Sequence, residues 1–417
     1  MSWYYLCLFE NDKQVCDFFF VTIFDEYFIF ILSCALMISD GSDNFFKVLY
    51  LYFNNTNDFE TKNEIDNFES KTIDIMKFIG IVFVVIGHYP GDYFNIMSPY
   101  LFHMPLFFFI AGITLKSGNP IKKSIHVFSS ISKYSVITYI VTGLIAVSLS
   151  KRFDIDLGYP FADGVLNTII YTLKQNFHNN PLFLVCWFLL AYCTSYLLSS
   201  LIVSFASYNT SSKVNPLLLT VISIAFGVIA IKILSPYYDE TKLQYVNVAA
   251  QTLYASMFMI IGNVFGLNLI KRINSQISLF IFIALSFIYL SKYIQPTVMS
   301  WSIYPSGFLM TTTVSLLCIF IVTFLSKCAA LSGATNLLVA IGKSSKHIMA
   351  YHLSVFILMD FIFSQLGYWD MKNTTVFKHY YTPEMIMIYP AAGLLIPTAG
   401  YYAFLKIKTH QRANALS

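Results

Sequence analysis

From residue 73 onward the chain is a series of long apolar runs separated by short polar breaks. A helix needs about 20 predominantly apolar residues to cross the hydrocarbon of a bilayer. On that rule the runs predict spans near 73–89, 99–115, 134–150, 182–206, 216–235, 248–270, 277–291, 303–325, 347–364 and 385–405. The expected fold is an all-α polytopic membrane protein of about ten transmembrane helices over residues 72–408, with 409–417 as a tail. No internal repeat is visible along the series.

The first 71 residues follow another pattern. FFFVTIFDEYFIFILSCALMI is apolar, but Asp25 and Glu26 near its middle make it a poor spanning helix. It lacks a basic start and a small-residue cleavage site, so it is a poor signal peptide too. NNTNDFETKNEIDNFESKT, residues 54–72, reads as an acidic linker. Residues 1–71 are therefore expected to be an interfacial or loosely ordered extension, or the product of a start codon placed too far upstream.

Composition excludes a soluble globular protein. Of 417 residues 57% are hydrophobic and 12% charged, against about 25% charged in soluble domains. Cys186, Cys193 and Cys318 lie inside apolar runs and no CxxC pair occurs, so neither a disulfide framework nor a metal site is expected.

Charge sets the expected orientation. Residues 1–72 hold twelve acids and four lysines, a net of −8; the rest holds 22 Lys and Arg against ten acids, +12, and the two sum to +4. If residue 73 starts on the cytoplasmic side, the inside loops and tail hold thirteen Lys and Arg and the outside loops seven. The bias places both ends of the helical core inside. Positive charge gathered at helix ends is what topology requires, and no nucleic-acid partner is expected.

The chemistry worth asking about lies where lipid should exclude it. IDIMKFIGIVFVVIGH contains Asp74, Lys77 and His88. Lys77 and His88 are eleven residues apart, three helical turns plus roughly 20°, so they share a face while standing about 16 Å apart. Asp74 reaches Lys77 as an i,i+3 neighbour. Two readings of Lys77 stay open: a snorkelling lysine paired with Asp74, or a functional cation. PYLFHMPLFFFIAG puts His103 across a short loop from His88. Pro105 there fits a first-turn position or a break, and Ala111-Gly112 permits close helix contact. Trp187, in NNPLFLVCWFLLAY, reads as an aromatic-belt residue or as part of a binding site. IGKSSKHIMAYHLSVF carries Lys343, Lys346 and His347 at a helix start and His352 deeper in, either packing or functional. GKS is no phosphate loop here, since Leu337 stands where the pattern needs Gly. His126, His178, His379 and His410 lie in loops and are expected to be solvated.

Taken together, IDIMKFIGIVFVVIGH, FHMPLFFFIAG, CWFLLAY and IGKSSKHIMAYH resemble the acyltransferase family 3 of bacterial membrane proteins, nearest the branch of fucose 4-O-acetylase-like proteins. The resemblance covers about residues 72–405. It implies a ten-helix core in the plasma (inner) membrane and no permanently bound cofactor. It also implies transfer of an acyl group, usually acetyl, from cytoplasmic acyl-CoA to a hydroxyl of a cell-surface carbohydrate. The family's basic residue and histidine, with ten residues between them, fall on Lys77 and His88, with Lys where Arg is more usual. On this basis His88 is expected to take the acceptor hydroxyl's proton or to carry the acyl group, and His103 to orient His88 or the acceptor. Asp74, Lys77, Trp187, Lys343 and His352 are expected to bind donor or acceptor, with Lys346 adding charge at the inner mouth. The competing expectations are a glycan transporter or flippase, whose repeated halves and broken helices the sequence lacks, and a non-catalytic scaffold.

Overall fold

In the computed structural model, which describes residues 62–90, 97–115, 119–208, 216–291, 294–333 and 335–414, the apolar runs are helices. They are α1 (Lys62–Gly87), α2 (Pro99–Ile113), α3 (Pro120–Phe153), α4 (Val165–Lys174), α5 (Cys186–Tyr208), α6 (Pro216–Ile229) and α7 (Ser235–Thr241). After these come α8 (Gln244–Arg272), α9 (Ser275–Leu290), α10 (Gly307–Leu331), α11 (Asn336–Lys343), α12 (Ser345–Gln365) and α13 (Met385–Asn414). A π-helical turn, Ala230–Leu234, joins α6 to α7. The Val298–Ile303 bridge is the sole strand-like pairing among the described residues.

The protein is an all-α polytopic membrane protein. Seven helical segments among the described residues are long and apolar enough to cross a membrane. α2 and α9 are apolar but have 15 and 16 residues, about 22–24 Å of helix against roughly 30 Å of hydrocarbon. α1 carries Lys71, Asp74 and Lys77 in its apolar part.

Several boundaries differ from the sequence reading. Half of the expected linker is helix: α1 begins at Lys62, and Glu69 in it is buried beside Lys271 at 3.1 Å. The polar composition of this stretch concealed contacts made far along the chain. Pro105 sits inside α2 without ending it, while Pro99 occupies the first turn. α3 is 34 residues long, twice the expected span. α4 is a short amphipathic helix with Val165 and Leu166 exposed. The expected tail is helical to Asn414; residues 415–417 and 1–61, with Asp25 and Glu26, lie outside the described residues.

α1 is the hub, touching α2, α8, α10, α11, α12 and α13. That explains why Ile75, Met76, Ile81 and Val85 are all at most 1% exposed. Lipid tails are as apolar as leucine, so helices in a bilayer associate through close packing and not through the hydrophobic effect. Glycines supply that packing here. A Cβ on Gly112 of α2 would meet the Met259 carbonyl of α8, and one on Gly262 of α8 would meet the Phe109 carbonyl of α2. Asn263 completes the contact by donating Nδ2 to the carbonyls of Gly112 (3.3 Å) and Leu115 (3.1 Å), closing the end of α2. A third close approach sets Gly342 of α11 against the Asp74 backbone of α1.

Candidate active site

The end of α1 and the start of α2 converge on a cavity of about 250 Å³. His88 and His103 line it, with Tyr100, His178, Trp187 and Trp301 among the other walls. No Asp, Glu, Lys or Arg lines it. It is an uncharged, aromatic space with imidazoles as its titratable bases.

Each imidazole is held by a nearby carbonyl. His88 Nδ1 lies 2.7 Å from the Val84 carbonyl oxygen, and His103 Nδ1 bonds the Pro99 carbonyl in the same i−4 relation. His352 Nδ1 lies 2.9 Å from the Ile348 carbonyl, and His178 Nδ1 2.8 Å from that of Asn176. A carbonyl only accepts, so in all four rings Nδ1 carries the proton. The lone pair is left on Nε2, the form a general base needs. This follows from helix geometry: in α1, α2 and α12 the turn beneath each histidine offers its carbonyl.

His352 is fully buried, and its Nε2 has no hydrogen-bond partner. Its ring meets that of His88 edge-on, centroids 5.1 Å apart. A buried acceptor without a partner costs about 1–3 kcal/mol, and here it leaves an unpaired imidazole lone pair next to His88.

The loops supply the remaining walls through long-range hydrogen bonds. Three buried amides converge on the Ser300 carbonyl: Asn176 Nδ2 at 2.6 Å, Asn247 Nδ2 at 3.0 Å and Gln251 Nε2 at 2.7 Å. Ser302, with φ +50°, donates Oγ to Asn247 Oδ1 at 2.7 Å. This clamp seats Trp301 against His178, ring centroids 4.5 Å apart. Burial pushes the His178 imidazole below its ordinary value, against the pull of the carbonyls it bonds. Gln251→Leu strips one donor from the clamp. It is expected to lower thermal stability by about 1–3 kcal/mol, as read by a melting curve.

Asp74, Lys77 and Lys343 form a separate cluster at the other end of the buried part of α1. Lys77 Nζ pairs with Asp74 Oδ1 at 2.9 Å, and Lys343 Nζ lies 3.9 Å from Oδ2. Lys346 turns away, its ammonium 4.2 Å from the Tyr134 ring centroid. His347 stacks on Tyr401 at 4.7 Å.

Against the sequence reading, His88, His103 and Trp187 share one cavity, and His352 adjoins His88. Asp74, Lys77 and Lys343 gather elsewhere. Trp187 is 5% exposed and faces the cavity, which corrects its reading as an aromatic-belt residue. Two loop histidines expected to be solvated are not. His178 lines the cavity, and His379 is 2% exposed and bonded to the equally buried Asp360. Nothing local marks either histidine; the legible signal is Asp360, an acid inside an apolar run. Among the described residues, no three His, Cys, Asp or Glu side chains are arranged to hold a metal ion.

A family model described as an acyltransferase domain matches residues 70–396. No curated protein and no solved structure matches the chain.

Proposed function

The chain belongs to that acyltransferase family and is a membrane acyltransferase, and from this we propose that it transfers acetyl from acetyl-CoA to a hydroxyl of a cell-surface carbohydrate. The carrying observation is the cavity itself: no charged side chain, aromatic walls, and His88 with Nδ1 committed to Val84. Sugars present apolar C–H faces to aromatic rings and hydroxyls to acceptors, which suits Trp187, Trp301 and the imidazoles. A phosphorylated donor head does not suit such a space, whereas the Lys77 and Lys343 ammonium groups at the other end do suit it.

His88 Nε2 takes the proton of the acceptor hydroxyl. The oxygen attacks the thioester carbonyl, the C–S bond breaks, and the imidazolium returns its proton to the departing sulfur. His352, with its unpartnered Nε2, stabilises the imidazolium while it lasts, and His103 orients the acceptor. The separation of about 16 Å between Lys77 and His88 is spanned by the extended arm of the donor. CoA enters from the cytoplasmic side of the plasma membrane, where both ends of the helical core lie. The FHMP sequence around His103 supports the fucose 4-O-acetylase-like branch.

Purified protein in liposomes, given radiolabelled acetyl-CoA and surface glycan extracts, tests the reading. Label in glycan supports it, and glycan movement without acylation would replace it with transport. Lys77→Met is expected to raise the KM for acetyl-CoA several-fold with a smaller change in kcat, because the lost charge touches the donor and not the reacting atoms.

A further inference from the structure

The buried Asp360–His379 pair belongs to neither the cavity lining nor the Asp74–Lys77–Lys343 cluster, yet it governs what covers His88. The segment after α12 makes a tight turn in which the Thr375 amide donates to the Lys378 carbonyl at 3.1 Å. Phe377 stands at the tip of that turn, 55% exposed. Its ring stacks on His88 with centroids 6.1 Å apart and planes 21° apart. An exposed phenylalanine over a reactive imidazole needs something to hold it there.

The hydrogen bonds beneath the turn supply that hold. His379 Nδ1 lies 2.7 Å from Asp360 Oδ2, and its Nε2 lies 3.1 Å from the Val376 carbonyl, inside the turn. Asp360 Oδ1 accepts from the Tyr380 amide at 3.0 Å and from the Tyr389 hydroxyl at 2.6 Å. Tyr89, adjacent to His88, donates its hydroxyl to the Tyr380 carbonyl at 2.7 Å. A single carboxylate on α12 thus ties together the turn, α13 and, through Tyr380, the end of α1.

We propose that residues 375–380 form a lid over His88, with Phe377 as its cover and Asp360 and His379 as the positioning residues that keep it closed. The lid sets access of water and acceptor to His88, and so rests on the reading of His88 as the reactive base. Hydrogen bonding, not charge, is what the anchor requires. Both ring nitrogens of His379 face acceptors, so the pair together holds two protons, as imidazolium and carboxylate or as imidazole and carboxylic acid. An asparagine at 360 reproduces the pattern: its oxygen accepts from Tyr380 and Tyr389, and its amide donates to His379 Nδ1.

Diethyl pyrocarbonate modification of the full chain in detergent, read histidine by histidine by mass spectrometry, tests the lid without any substrate. Exposed His126 serves as the internal reference. Phe377→Ala and Asp360→Ala are expected to speed modification of His88 several-fold relative to His126, with buried His352 still protected. Asp360→Asn and Phe377→Tyr are expected to behave as wild type. In Asp360→Ala/Phe377→Ala the rate is expected to match Phe377→Ala alone, because the anchor acts only through the cover. An unchanged His88 rate in Phe377→Ala overturns the lid, and it can be read even if Asp360→Ala fails to fold. Faster labelling of His352 together with His88 would instead mean general loosening and overturns it too. Acyl transfer plays no part in this readout, so failure of the acetyl-CoA assay removes the proposed reaction and leaves the lid to stand or fall separately.

Discussion

His88→Ala is expected to abolish acyl transfer in practice, lowering kcat by about 10²- to 10⁴-fold, while the protein remains folded and binds acetyl-CoA with nearly unchanged affinity. The separation of effects follows from position. His88 is partly exposed at the cavity wall, just beyond the last residue of α1, so truncation removes ring contacts to Tyr100, His352 and Phe377 but none of the helix-to-helix packing along α1. In the proposed reaction Lys77 and Lys343 hold the donor's charged head, at the other end of the buried part of α1. What disappears is the Nε2 lone pair that Val84 leaves on the cavity side by holding Nδ1. Single-turnover transfer with purified variant measures the loss, and added imidazole is expected to restore part of it by occupying the vacated space. A folded His88→Ala protein that acetylates at the wild-type rate would remove His88 from the chemistry.

The second large effect concerns assembly. Gly262→Leu is expected to prevent a stable fold, because the new side chain would have to pass through the Phe109 backbone of α2. The α2–α8 contact is reciprocal, with Gly112 meeting Met259 from the other side, so neither helix has room to retreat. Even Gly262→Ala is expected to cost at least about 1–3 kcal/mol. Prying α2 from α8 also displaces His103, so surviving protein should lose activity beyond its loss of stability. Gly400 is the contrast: nothing lies within 4 Å of a Cβ there, and Gly400→Ala should be neutral or slightly stabilising. Thermal unfolding followed by size-exclusion chromatography in detergent compares the three. A Gly262→Ala protein as stable as wild type would show that the helices close by another route.

The legible parts of the site were those on helices. His88, His103 and His352 each stand in an apolar run, where any ionisable group signals a cavity or a partner. Spacing along α1 then separated His88 from the Asp74–Lys77 end. Trp187 was half-legible: its place at a helix start is common to interfacial and binding residues, and only the packing of α5 turned it inward. His178, Trp301, Phe377 and His379 were out of reach. They sit on connecting segments whose sequences have no period, and their positions depend on partners more than a hundred residues away, as with the Asn176–Ser300 bond, or on a carboxylate in a neighbouring helix.

The sequence by itself determined that this chain lives in a membrane as a bundle of helices. Apolar runs of that length admit no other backbone arrangement, since in lipid each amide must be bonded within its own segment. It also determined which end of the first helix carries charge and which carries imidazole, because helical rise is a local property. Tertiary structure alone decided that three imidazoles and two tryptophans from five separate segments meet in one uncharged cavity. It alone decided that a buried carboxylate would hold a phenylalanine over one of them. Those outcomes depend on glycine contacts between backbones and on hydrogen bonds to loop carbonyls, and neither leaves a pattern in the residues nearby.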